Sequence, residues 1–81
     1  MIIYNNKPSI LQKRKIANIA KYLRKKNITI THVNIFGKDM YIRRVKNKGI
    51  ELDSTDSAFL VYQILKKKYK IFNTGSGIKI Y

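Results

Sequence analysis

The pattern of this 81-residue chain predicts an α+β fold, a two-layer ferredoxin-like plait of the split β-α-β kind. Three observations carry it. β-prone runs and segments of helical period follow one another as β-α-β-β-α-β, with room for an extra C-terminal strand. Each helical segment has one apolar stripe, as packing on a single sheet face requires. The length admits one core, so residues 1–81 read as a single small basic domain. Right-handed connections on one antiparallel sheet then place the first and third strands at its centre.

Met1-Ile2-Ile3-Tyr4 is β-prone and stops at the polar turn Asn5-Asn6-Lys7-Pro8. Pro8 and Ser9 suit a helix start. From there to Lys26 apolar residues recur at helical spacing, with Ile16, Ile19, Ala20 and Leu23 in one stripe, and Asn27 is a stop. Ile28 to Phe36 is rich in β-branched residues, Gly37-Lys38 turns, and Asp39 to Lys46 completes a hairpin. After the turn Asn47-Lys48-Gly49, Ile50-Glu51-Leu52 extends that strand or forms a short third one. Asp53 or Ser54 caps the second helix, and Asp56 sits in its positive first turn. Its stripe is Leu60, Val61, Ile64 and Leu65, flanked by Ala58 and Tyr62. Ile71 to Tyr81, broken at Thr74-Gly75-Ser76-Gly77, is a terminal hairpin or one strand with an irregular approach.

Charge sets the partner class. Eighteen Lys and Arg against four Asp and Glu give a net +14, a self-repulsion that a polyanion offsets, most simply DNA or RNA. Codon drift in an AT-rich genome enlarges Lys, Ile and Asn together, but it does not remove Glu, whose codons differ from those of Lys by one purine. The 44% apolar fraction belongs to a folding chain, not to a basic tail. With no cysteine, disulfides and thiolate-rich zinc sites are excluded. No apolar run is long enough to span a membrane, and no signal peptide is visible. The expectation is a cytoplasmic protein with no membrane partner, metal or cofactor. An exposed sheet edge and a small core would suit a homodimer.

The candidate contacts fall into groups. Arg14, Lys21, Arg24 and Lys25 lie along the polar side of the first helix, a ridge able to follow a phosphate backbone. Lys66, Lys67, Lys68 and Lys70 crowd the C-terminal turns of the second, where part of the charge suits the helix dipole. Strand alternation puts Met40 and Ile42 on the core face, and Tyr41, Arg43 and Val45 on the open face. On the first strand it puts Ile3 inward and Tyr4 outward. Tyr4, Tyr41 and Arg43 would then form a small platform for stacking bases, with the Arg43 guanidinium beside the rings, and Arg43 and Arg44 are the arginines expected to do more than neutralise charge. Phe59 falls off the apolar stripe, among Gln63, Lys66 and Lys70, as a stacking residue or partner anchor.

In element order and length the layout resembles an RNA-recognition domain. That family's central-strand signature combines a basic residue, Gly and two alternating aromatics; Gly37-Lys38-Asp39-Met40-Tyr41-Ile42-Arg43 supplies one aromatic. Its first-strand signature has a faint echo in Ile2-Ile3-Tyr4-Asn5. A comparable layout occurs in small CRISPR-adaptation nucleases, which place Asp at the end of the first strand where this chain has Asn5.

Signals for catalysis are thin. His32 is the only histidine, and helix capping accounts for Asp53 and Asp56 beside Glu51. Gly75-Ser76-Gly77 leads into a strand, whereas phosphate loops open a helix. The expected function is non-enzymatic nucleic-acid binding, mostly through phosphates and with weak sequence specificity, since Lys outnumbers Arg 14 to 4. The alternative is a small viral or plasmid-type interaction module gripping an acidic protein partner through Phe59 and Tyr62.

Overall fold

Ser9 fixes where the first helix begins. Its Oγ accepts from Gln12 N at 3.1 Å while Gln12 Oε1 accepts from Ser9 N at 2.8 Å, a reciprocal capping box. The computed structural model describes all 81 residues: β1 (Ile3–Tyr4), α1 (Ile10–Arg24), β2 (Ile28–Phe36), β3 (Asp39–Asn47), β4 (Ile50–Glu51), α2 (Ser54–Leu65), β5 (Ile71–Asn73) and β6 (Ile78–Ile80). The expected element order is present. Ile50–Glu51 is the short third strand, and the last segment is a hairpin.

All six strands form one mixed sheet in the order β1-β2-β3-β6-β5, with β4 pairing the far end of β3. This corrects the plait, because β1 lies at an edge, parallel to β2, rather than at the centre. The reason is length. β2 and β3 have nine residues each and pair along their whole extent across the Gly37-Lys38 turn, where Gly37 takes φ +62°. β6 occupies the Met40–Ile42 half of β3 and β4 the Lys46–Asn47 half. A two-residue β1 is left with the free edge of β2.

Both helices pack on one face. Ile16, Ile19 and Leu23 of α1 and Ala58, Val61 and Leu65 of α2 share a single core with Ile28, Ile30, Val33, Ile35, Met40, Ile42, Val45, Ile78 and Ile80. Strict alternation would not bring these strand residues together. β2 turns Ile30 and then Val33 inward, and β3 turns Ile42 and then Val45. Both strands slip by one residue at the same level, where His32 lies opposite Arg44 between the regular pairs Ile30–Val45 and Val33–Ile42. Val45 is therefore fully buried, which corrects its expected place on the open face.

Polar groups secure the slip. Thr31 Oγ1 donates to Arg44 O at 3.1 Å, so His32 Nδ1–H is the donor in the 2.9 Å contact with Thr31 Oγ1. The histidine thus has a structural role. Ser57, the only buried polar side chain, accepts from Val45 N at 3.0 Å and donates to Leu52 O at 3.4 Å. It clamps the first turn of α2 to β3 just beyond the irregularity.

Ser57→Ala leaves the Val45 N–H buried without a partner, at a cost of about 1–3 kcal/mol. Urea unfolding should show a lower midpoint with an unchanged slope.

Candidate nucleic-acid interface

With both helices on one side, the opposite sheet face is uncovered. Pairing across β2, β3, β6 and β5 lines up Asn34, Tyr41, Lys79 and Phe72 in one row on that face. In the adjacent row Phe36 stands opposite Asp39. Tyr81, two residues beyond Lys79, brings its ring centre within 4.9 Å of Lys79 Nζ. Phe36, Phe72 and Tyr81 are each more than half exposed, at 57%, 56% and 53%. Nothing in the fold covers these rings, so their apolar area is free for a ligand. Tyr41 is half-buried because Phe36 meets it edge to face at 5.7 Å. Lys79 Nζ also lies 3.8 Å from Asp39 Oδ1.

A concavity of about 260 Å³ opens beside Tyr41, bounded by Asn34, Phe36, Arg43, Thr74 and Ser76. Arg43 Nη1 donates to Ser76 O at 3.2 Å, which fixes the guanidinium against the β5–β6 turn. That turn is itself braced. Thr74 N and Oγ1 both donate to Gly77 O at 2.9 Å, and Gly75 N donates to Asn73 Oδ1 at 2.8 Å. A Cβ at Gly77 would sit 3.3 Å from Ile42 O, so glycine lets the turn lie close against β3.

The expected contacts are distributed as follows. Tyr41 and Arg43 share the open face. Tyr4 does not join them: parallel pairing sets Tyr4 beside Val33 and Ile3 beside His32, so Tyr4 packs on the core and Ile3 is exposed. The inferred phase of β1 was inverted because it depends on which residue of β2 it meets past the slip. Burial raises the Tyr4 phenol above its ordinary pKa of 10.0. Arg44 is held elsewhere, with Nε donating to Leu52 O at 3.3 Å and Nη2 at 3.6 Å from Glu51 Oε1. It fastens the β4–α2 connection and is separate from Arg43.

On the helix layer, Arg14, Lys21 and Lys25 remain on one side of α1, bordering hollows toward the C-terminal strands and Tyr69. Arg24 lies ten residues after Arg14, about 80° round the helix. It borders Met1, Ile2 and Thr29 on the other flank. Lys66 is the C-cap of α2, its Nζ 5.7 Å from the Tyr62 ring centre. Lys67 lies near Gln63 and Tyr22, and Lys70 O accepts from Tyr81 N at 3.2 Å, next to the open-face strands. Phe59 is 64% exposed on α2 and is not covered by the terminal hairpin.

No family model matches the chain, and no curated protein and no solved structure matches it. What the surface does is therefore read from its chemistry. The acids are committed locally: Asp53 caps α2 through Asp56 N at 2.8 Å, Asp56 sits in that first turn, Asp39 faces Lys79 and Glu51 faces Arg44. No helix is long and apolar enough to cross a membrane. The residues that sequence reasoning missed are Asn34, Phe36, Phe72, Lys79 and Tyr81. Alternation from Val33 and Ile78 already put most of them outward, but only the strand order shows that they adjoin Tyr41.

In the unaltered protein an alkaline titration followed by tyrosinate absorbance should show a late-ionising tyrosine that Tyr4→Phe lacks. A phenol whose folded pKa is raised stabilises the fold below about pH 10, and that contribution is lost as pH rises through the folded value. Tyr4→Phe should accordingly lose stability less steeply in the alkaline range.

Proposed function

We propose that this chain is a non-enzymatic protein that binds single-stranded DNA or RNA on the open face of its sheet. The observation that carries the reading is the set of rings Phe36, Tyr41, Phe72 and Tyr81 on one uncovered face, interspersed with Lys79 and Arg43. Rings so placed stack unpaired bases, and the cations between them meet the phosphates. Duplex bases are stacked on one another and offer no faces to such rings, so a single strand is the form that gains most. The concavity beside Tyr41 is lined by Asn34 and Arg43, whose carboxamide and guanidinium could hydrogen-bond the edge of a base seated there. Lysine supplies most of the charge and reads no sequence, so phosphate contacts dominate affinity.

Phe59 supports a second reading, in which α2 grips an acidic protein partner, since an exposed Phe beside Gln63 and Lys66 is a suitable anchor. The surfaces are separate, so Phe59→Ser should leave single-strand affinity unchanged.

Binding of labelled oligonucleotides followed by anisotropy at about 0.15 M salt should show single strands preferred over matched duplex. Tyr41→Ala and Phe72→Ala should each cost about 1–3 kcal/mol, a roughly 5- to 150-fold loss. Duplex binding that equals single-strand binding and ignores both substitutions would refute the reading.

A further inference from the structure

A second concavity, of about 540 Å³, lies at the end of the sheet, between α1 and the ends of β3 and β6. Its apolar lining is Leu11, Met40, Ile80 and Tyr81, and its cations are Arg14, Lys15, Lys38 and Lys79. The one acid there, Asp39, is paired with Lys79 at 3.8 Å. Gln12 Nε2 donates to Gly37 O at 3.1 Å, tying the first turn of α1 to the β2–β3 turn and fixing the mouth of the groove. Leu11 is 75% exposed in that first turn, an apolar surface with nothing on it.

Shared residues make this groove continuous with the surfaces on either side of it. Asp39, Lys79 and Tyr81 line it and also belong to the open-face rows. At the other end Asn18 lines both this groove and a hollow of about 410 Å³ bordered by Lys21, Lys25, Lys68 and the edge-to-face pair Tyr22–Tyr69, whose rings are 6.0 Å apart. Lys68 Nζ lies 4.6 Å from the Tyr22 ring centre. One aromatic and cationic surface therefore runs from the open face, round the sheet end, and along α1.

We propose that a single strand whose bases stack on the open face continues round the sheet end and lays its phosphates along Arg14, Lys21 and Lys25 of α1, so that the groove is a second segment of the same site. The proposal rests on the single-strand reading above. Its physical ground is charge: the open face alone offers few of the 18 cations, whereas the α1 flank presents a spaced row of them with no acid beyond the paired Asp39. Continuity selects the occupant, because a polyanion already seated on the rings reaches this row without a second binding event.

The test is a length series of labelled oligothymidylate, from about 4 to about 16 nucleotides, the span of site sizes for small single-strand-binding domains. Affinity should keep rising well past the shortest oligomer before it levels. The triple variant Arg14→Gln, Lys21→Gln, Lys25→Gln changes two exposed positions of α1 and its exposed C-cap to another good helix former. It should leave the affinity for the roughly 4-nucleotide probe unchanged and abolish the gain on lengthening. Its log–log salt slope for the long probe should be smaller by about 2, at about 0.7 per phosphate lost. Equal losses for short and long probes, or no loss for either, would overturn the groove while sparing the sheet-face reading. Failure of the unaltered protein to bind any single strand would overturn both.

Discussion

The paired slip in the β2–β3 hairpin is the constraint on which the rest of the structure depends. Ile28 and Ile30 are in one alternation phase, and Val33 and Ile35 are in the other; Met40 and Ile42 likewise disagree with Val45. A regular hairpin that kept Val33, Ile35, Met40 and Ile42 inward would turn Ile28, Ile30 and Val45 outward. Slipping both strands at one level, around His32 and Arg44, keeps these aliphatic side chains on the helix side while preserving the pairing beyond it. The same event decides the open face. It sets Asn34, Phe36 and Tyr41 outward on the turn side of the slip, and leaves Arg43 free to reach the carbonyl of Ser76. Ser57 matters because it meets the backbone where the ladder is interrupted.

A sheet with helices on one face only must expose the other, and this chain exposes rings there. The composition of that face is not forced by folding, since polar residues would serve a solvated sheet at least as well. The proposed ligand, with flat faces and negative charge, would account for large apolar rings in water among cations. The acids reinforce this economy of charge: each of the four is occupied by a cap, a helix first turn or a neighbouring cation, which leaves most of the basic side chains without a fixed partner. Such a surface is repelled by itself and relieved by a polyanion.

Much of the fold was legible because local signals agreed. Pro8-Ser9, Asp53 and Gly37 marked boundaries through capping and turn chemistry that act within a few residues. What failed was non-local. The place of β1 follows from a competition between a two-residue strand and two nine-residue strands for partners, which no local pattern records. Tyr4 and Val45 were assigned by alternation counted through an irregularity that alternation cannot see. Arg44 looked equivalent to Arg43 in sequence, yet the slip sends one to the Leu52 carbonyl and the other to the β5–β6 turn. Tyr41 and Arg43 were found because they lie two residues apart on one strand. Phe72 and Tyr81 needed the knowledge that β6 pairs with β3.

Lysine and arginine divide the work differently here than their numbers imply. Most lysines sit on flexible stems at the surface, suited to neutralising phosphates wherever the backbone runs. Arg43 is the open-face cation held by a backbone acceptor before any ligand arrives, and it stands at the rim of the notch beside Tyr41, across from the Asn34 carboxamide. A preorganised guanidinium loses little freedom on binding, and a carboxamide both donates and accepts. On the proposed single-strand reading, base preference would reside in this one notch, superimposed on affinity spread over many lysines. The two are physically separable, because the lysine contribution fades with salt whereas stacking and hydrogen bonding at the notch largely do not.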